Sequence, residues 1–271
     1  MATPRFVAFC SDYGLRDEFV GVCKGVIAAF APDATVIDLV HELPPHDVAA
    51  GALALARSVR YLPEGVLVLA VVDPGVGTDR RLIAVECEPA TLFGPDNGLL
   101  APAVAMLDGA RRVFELTNSD YHLHAEGATF AGRDVLAPAV AHHAAGVALF
   151  ELGTEIDPAG LVPGIVPEAN VTETGAIDAN VWWIDRFGNV QLNVDPAALR
   201  TRPGERVEVH AGETVRAARW VHTYAEAKPS ELVIVVDGSG MVSLALDRRS
   251  AADELGLRFG AAVTLVPPDP H

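Results

Sequence analysis

The chain has 271 residues, half of them apolar and 21% charged, and 36 acidic against 20 basic residues leave a formal net charge of −16. An acidic chain without a basic stripe lacks a phosphate-binding surface, so nucleic acid is not an expected partner. No stretch approaches the ~18 apolar residues that span a bilayer, and the N-terminus enters a strand pattern with no basic leader, so a soluble, cytoplasmic protein without a membrane partner is expected.

The length exceeds one usual core and predicts two domains, 1–165 and 172–271. Strand Arg5–Phe9, helix Asp17–Ala31, strand Ala34–Leu39, a helix from Asp47 to Tyr61 and strand Gly65–Val72 alternate. That alternation predicts an α/β domain with a central, largely parallel sheet under helices. Leu82–Val85 and Thr91–Phe93 read as short strands, and Leu99–Leu107 and Asp134–Ala145 as helices, with Pro138 a weak point in the last. From Leu149 the prolines 158, 163 and 167 punctuate glycine-containing sequence, as in a linker. Beyond it Asn180–Ile184, Arg206–Val209, Leu232–Val236, Met241–Leu246 and Ala262–Leu265 are short β-rich runs between turns, which predicts a small, mostly antiparallel sheet or barrel.

Four polar clusters follow apolar runs: Ser11–Gly14, Asp73–Arg80, Gly94–Gly98 and Ile184–Asn189. The first two place Asp12 and Asp73 at strand C-termini, where open α/β sheets bind small molecules. An aspartate there is otherwise a turn or cap residue. Asp73 and Arg80 stand across a loop containing Gly75 and Gly77, and would orient a water or polar substrate group, or simply brace the loop. That loop has no GxGxxG or GxxxxGK[ST] spacing, so no dinucleotide or triphosphate site is marked.

His122 and His124 have the spacing of two imidazoles on one strand face, and His142-His143 are adjacent, but no third ligand with metal spacing accompanies them and no metal is expected. GxSxG is absent and Ser11 has no evident base, which argues against a serine hydrolase. Trp182 and Trp183 would face opposite sides of a strand, one toward the core. Cys10, Cys23 and Cys87 read as buried thiols of a reducing compartment.

The clusters, read with Cys23-Lys24-Gly25, GPDNGLL at 94–100, TFAGRD at 129–134 and IDRFGNVQLN at 184–193, resemble the S-adenosyl-L-methionine (SAM) hydroxide adenosyltransferases, hydrolases related to fluorinase and chlorinase. The resemblance covers nearly the whole chain in order. It implies a seven-stranded N-terminal α/β domain, a C-terminal β-barrel and a homotrimer whose active sites lie between the N-terminal domain of one subunit and the C-terminal domain of its neighbour. It implies that Asp12 binds the ribose hydroxyls and that Phe130 flanks the ribose. Phe187 and Asn189 would hold the adenine, Tyr224 would stack on it, and Asp185 would take the methionine ammonium. Asp73 and Arg80 match two members of an Asp-Arg-His set around the attacking water. The His is replaced by Ala131, while Gly132 follows where the fluorinase pattern has serine.

The implied reaction is attack of water or hydroxide at C5′ of SAM, giving adenosine and L-methionine without a cofactor. The leaving group departs neutral, so positioning and desolvation of the nucleophile dominate. Two alternatives are halide-type adenosyl transfer into the space at Ala131, and a SAM or adenosine binding protein with little turnover.

Overall fold

In the computed structural model, which describes residues 6–164 and 168–268, the first apolar run forms strand β1 (Phe6–Ser11), with Val7 to Cys10 wholly buried. Arg5, expected at its start, and Pro167, expected in the linker, lie outside the described residues. Burial of successive residues on both faces is what a strand inside a helix-covered sheet requires. Helix α1 (Phe19–Phe30), strand β2 (Thr35–Val40), helix α2 (Val48–Ser58) and strand β3 (Leu67–Val71) follow. The Asp47 carboxylate caps α2 by accepting from the Ala50 amide at 2.9 Å. Strands β4 (Leu82–Glu86) and β5 (Thr91–Pro95), helix α3 (Ala101–Met106) and strand β6 (Arg112–Glu115) come next. Helices α4 (Ala137–Ala144) and α5 (Leu149–Leu152) and strand β7 (Thr154–Ile156) end this unit.

The seven strands lie in the order β2-β1-β3-β5-β4-β6-β7. Four, β2, β1, β3 and β5, run parallel; β4 opposes β5, β6 opposes β4 and β7 opposes β6, so β6 joins the majority direction and five of seven strands agree. The chain leaves β1 for β2 on one side and returns to β3 on the other. β1 and β3 thereby form a topological switch point, and a crevice opens beyond their carboxyl ends.

The helix expected over Asp134–Ala145 starts earlier, with a π-helical turn at Gly132–Leu136 running into α4. Pro138 is the second residue of α4 and lies inside this continuous helix directly after the π-helical turn, so its missing N–H falls where the helix changes its bonding pattern. The stretch after Leu149 carries α5 and the three-residue β7 before any linker begins. So short an edge strand holds too little periodicity to be read from sequence.

The chain divides into two compact units, Met1–Val166 and Pro167–His271. The second contains β8 (Asn170–Val171), β9 (Ile177–Ile184), β10 (Val190–Leu192), β11 (Arg206–Ala211), β12 (Thr214–Trp220), β13 (Leu232–Val236), β14 (Val242–Leu246), helix α6 (Ala251–Leu255) and β15 (Ala262–Val266). Neighbours run β10-β14-β13-β12-β11-β15-β9, and β9 pairs back onto β10, so seven strands close a barrel with β8 added outside. Closure removes the exposed sheet edges that invite association. All its pairings are antiparallel except β12 with β13. Ile177, Val207, Val209, Ile234, Leu244 and Leu265 fill its core. Strands β8, β10 and β12 escape the sequence reading: β8 and β10 are two and three residues long, and Arg216 and Arg219 break the apolar pattern of β12. Trp182 and Trp183 are both half-buried, so neither is the fully buried core residue expected of one of them.

Candidate active site

A cavity of about 230 Å³ opens at the switch point of the first unit. Asp12, Tyr13 and Phe19 reach it from beyond β1, and Val71, Asp73 and Val76 from the end of β3. Pro45 and His46, before α2, and Thr129, Ala131 and Gly132, at the π-helical turn, complete its walls. Strand ends place both aspartates here, as the polar clusters predict.

Asp12 is held from a distant part of the chain. Its amide donates to the Val71 carbonyl at 3.3 Å, and its Oδ2 accepts from the His46 amide at 2.8 Å. His46 adopts the left-handed region with φ of 66°, which costs a non-glycine residue energy and recurs at ligand clamps. Among the described residues Oδ1 of Asp12 has no partner, so one oxygen is anchored and one is open to a donor.

Asp73 and Arg80 form a buried bidentate pair. Nε donates to Oδ1 at 2.9 Å and to Oδ2 at 3.1 Å, and the second guanidinium arm also donates to Oδ2. The side chains retain 6% and 15% of their exposure, so the pair is shielded from the screening that makes surface ion pairs weak. The loop between them folds tightly: Val76 N donates to Asp73 O, Thr78 N to Gly75 O, and Gly77 has φ of +82°. The second arginine of the loop, Arg81, pairs instead with Asp96 at 2.9 Å, and Asp96 also accepts from Val162 N at 2.9 Å. Asn97 donates to the Val72 carbonyl at 2.9 Å. The Gly94–Gly98 cluster is thus a brace for the strand ends.

Phe130 contributes through packing. Its ring meets Tyr13 edge-on at 5.5 Å and Phe19 at 5.2 Å, with the Arg133 guanidinium 4.8 Å from its centre. Tyr13 passes directly over Gly132, where a Cβ would come within 2.1 Å of the tyrosine hydroxyl. Burial pushes the Tyr13 phenol well above its usual range, and Cys23, Asp12, Asp73 and Asp134 push it the same way.

Two readings of the sequence are corrected. Ser11 does have a base: its Oγ lies 2.7 Å from His41 Nδ1, and His41 Nε2 lies 3.1 Å from Asp38, which Lys24 pairs at 2.9 Å. Ser11 is nevertheless fully buried, so this chain supports the β1 end and offers no nucleophile. His122 and His124 follow a 3₁₀ turn, Ser119–Tyr121, and are not on a strand. Burial lowers the His122 pKa, and His142 packs on Phe30 and Tyr121 at 4.5 and 4.9 Å. Among the described residues no three His, Cys, Asp or Glu side chains are grouped to hold a metal. Cys10, Cys23 and Cys87 are buried, with thiols raised to about 12, 12 and 11, chiefly by that burial.

The remaining predicted residues lie in the second unit. Asp185 follows β9 and organises its own loop: Oδ1 accepts from the amides of Phe187 and Asn189 at 2.8 and 2.9 Å, and Oδ2 from Asn189 Nδ2 at 2.8 Å. Gly188 has φ of +80°, and a Cβ there would strike Ser250 at 2.3 Å. Phe187 projects from the loop with 77% of its surface exposed, and Tyr224 retains 48%. Burial raises the Tyr224 pKa, with Asp185 and Asp237 adding to it, which places the phenol in the field of the loop carboxylate.

Tyr13, Phe19, Pro45, His46, Thr129 and Gly132 are site residues that no sequence assignment named. Tyr13 and Gly132 were visible inside their clusters. His46 carries no local signal, because its role comes from a left-handed backbone and a contact 34 residues away.

The profile for the SAM hydroxide adenosyltransferase N-terminal domain matches residues 7–153, and that for the C-terminal domain matches residues 179–264. An (R)-S-adenosyl-L-methionine hydrolase of Salinispora tropica is 44% identical over 260 residues, covering 96% of this chain and 97% of that protein. A fluorinase of Actinopolyspora mzabensis is 27% identical over 286 residues, 95% of each chain. A crystal structure of an uncharacterized conserved protein from Thermotoga maritima matches with a TM-score of 0.90 at 28% identity, covering 96% of this chain and 99% of that one.

Proposed function

Because this chain belongs to the SAM hydroxide adenosyltransferase family, we propose that its strand-end cavity is where water displaces methionine from C5′ of SAM. The chain is a SAM hydrolase: a water oxygen bonds to C5′, the C5′–S bond breaks with its electron pair kept by sulfur, and the lost proton goes to solvent. The products are adenosine and L-methionine. Its greater likeness to the Salinispora hydrolase than to the fluorinase supports water over halide as nucleophile.

The observation that carries the residue roles is Asp73, on the cavity wall that also bears Asp12, held in a shielded ion pair by Arg80, which stands behind it and does not line the cavity. Both Asp73 oxygens accept from Arg80, yet a carboxylate has about four lone-pair sites, so one is free to accept from water. Arg80 fixes the direction of that acceptor. Asp12, anchored through one oxygen, takes the ribose hydroxyls through the other. Its negative charge also favours a sulfonium substrate. Phe130 flanks the ribose.

A cavity of about 230 Å³ lies below the range of roughly 300–1,000 Å³ usual for sites that enclose whole ligands. Further walls are needed for adenine and methionine. In a homotrimer they come from the neighbouring subunit, with Asp185 receiving the ammonium, Phe187 and Asn189 the adenine, and Tyr224 stacking on the ring. Displacement at a sulfonium is redox-neutral and its leaving group departs uncharged, so the reaction uses no cofactor. We place it in the cytoplasm, without nucleic-acid or membrane partners.

The test is product analysis in ¹⁸O-water, with and without chloride. Adenosine labelled at the 5′ oxygen is the expected product. A 5′-chloro nucleoside would make the protein a halogenase, and unchanged SAM a binding protein.

A further inference from the structure

Asp73 and Ala131 line the same cavity. Ala131 offers only a methyl group there, and Asp73 alone fixes one hydrogen of a water. A water held by a single acceptor rotates about that bond, so its lone pair is not aimed at C5′. In-line displacement requires near-attack geometry, and a second polar contact supplies it.

Tyr13 meets that need. It lines the cavity together with Asp73, Ala131 and Gly132. Its hydroxyl lies 2.1 Å from the point that a Cβ on Gly132 would occupy, so the oxygen fills the space of a side chain at position 132. The ring cannot swing away freely, because Phe19 and Phe130 hold it at 5.6 and 5.5 Å. None of the hydrogen bonds of Tyr13 among the described residues involves that hydroxyl. A phenol pushed well above its usual range stays protonated, so the group acts as a neutral positioner and takes no proton.

Resting on the hydrolase reading above, we propose that the Tyr13 hydroxyl oxygen accepts the second O–H of the attacking water, making with Asp73 and Arg80 the three-residue nucleophile cradle of this chain. Asp73 accepts the first O–H, which leaves a water lone pair facing C5′. As the O–C5′ bond forms and the C5′–S bond breaks, the proton passes to Asp73 and on to solvent. The hydroxyl over Gly132 takes up the work that position 131 does not do here. It also occupies the volume a larger nucleophile would need.

The experiment is Tyr13→Phe, which keeps the ring packing and removes only the oxygen. A fall in kcat of about 10-fold is expected, the scale of one hydrogen bond used in the transition state, with KM, adenosine affinity and melting temperature unchanged. The pH–rate profile should keep its shape, because a neutral group is lost. Adding Ala131→His should rescue Tyr13→Phe by a larger factor than it accelerates the parent chain, since imidazole and phenol would serve the same water. If Tyr13→Phe folds poorly, Gly132→Ala offers a second route: its Cβ must displace the packed hydroxyl, so some melting temperature is lost while kcat should fall by a larger factor than adenosine affinity, and an equal fall in both would overturn the proposal.

Full kcat in Tyr13→Phe, or a loss matched by equal losses in adenosine affinity and melting temperature, would overturn the proposal while leaving the hydrolase assignment intact. Absence of adenosine from the parent chain would sink both.

Discussion

The two units hold their functional groups by opposite means. In the first, Asp12, Asp73 and Tyr13 face one cavity because separate strands end side by side, and their partners come from elsewhere: His46 is 34 residues from Asp12. In the second, Asp185 spends its carboxylate on amides two and four residues ahead, and the rings of Phe187 and Tyr224 stay exposed. A sheet's switch point gathers chemistry from distant sequence, whereas a barrel loop builds a rigid local presenter. Polar positioning of a nucleophile fits the first arrangement, and presenting flat apolar rings to a planar base fits the second.

This contrast is sharpest at Asp73. Asp73→Asn should lower kcat by about 10²–10⁴, the general range for acid–base help, and destabilise the first unit because Arg80 would keep its charge with little solvent. Single-turnover rates and thermal melts read the two effects. Activity and stability both near parental values would mean that the pair only ornaments the loop.

Asp12→Ala comes next. Charged hydrogen bonds are worth about 1.5–3 kcal/mol, so adenosine and SAM affinity should fall about 10–150-fold. An unchanged dissociation constant in calorimetry removes Asp12 from the site.

For the second unit, Asp185→Ala should cost about 1–3 kcal/mol, the loss of its local loop bonds, with faster hydrogen exchange confined to the loop. Mixing this chain with Asp12→Ala should restore activity in hybrid trimers if sites are shared between subunits. A mixed sample, verified by mass, that stays inactive would place each site within one chain.

The smallest effect concerns one of the barrel's ion pairs, Arg219–Glu231. Arg219 donates to Glu231 at 2.9 and 2.8 Å, chiefly by this bonding lowering the Glu231 pKa from 4.5 to about 2. A depressed carboxylate stabilises the fold above its unfolded pKa and loses that contribution as pH falls through the folded one. Stability of the parent chain should therefore decline between pH 4.5 and 2. Glu231→Gln should flatten part of that decline in denaturant titrations, and an identical slope would show the pair contributes nothing.

Much of this was legible in the sequence. Apolar runs of five to seven residues located β1, β3 and β13, and Asp47 announced the start of α2. The Asp73–Arg80 spacing pointed to a pair that the fold then buried. Failures came where the signal was shorter than one period, as in β7 and β10, or where charge interrupted it, as in β12. Ser11 misled because its base lies 30 residues away.

The sequence by itself determined the local chemistry: which strand ends carry carboxylates, which loop turns on Asp185 and Gly188, and where Ala131 stands in its motif. Those depend on neighbours within a few residues, and pattern and turn preference encode them. Only the tertiary structure decided that Asp12 leans on His46, that Asp96 is a brace, and that the Tyr13 hydroxyl lies over Gly132. Each depends on two segments brought together by sheet order and packing. No local preference records how closely a distant side chain will approach a glycine.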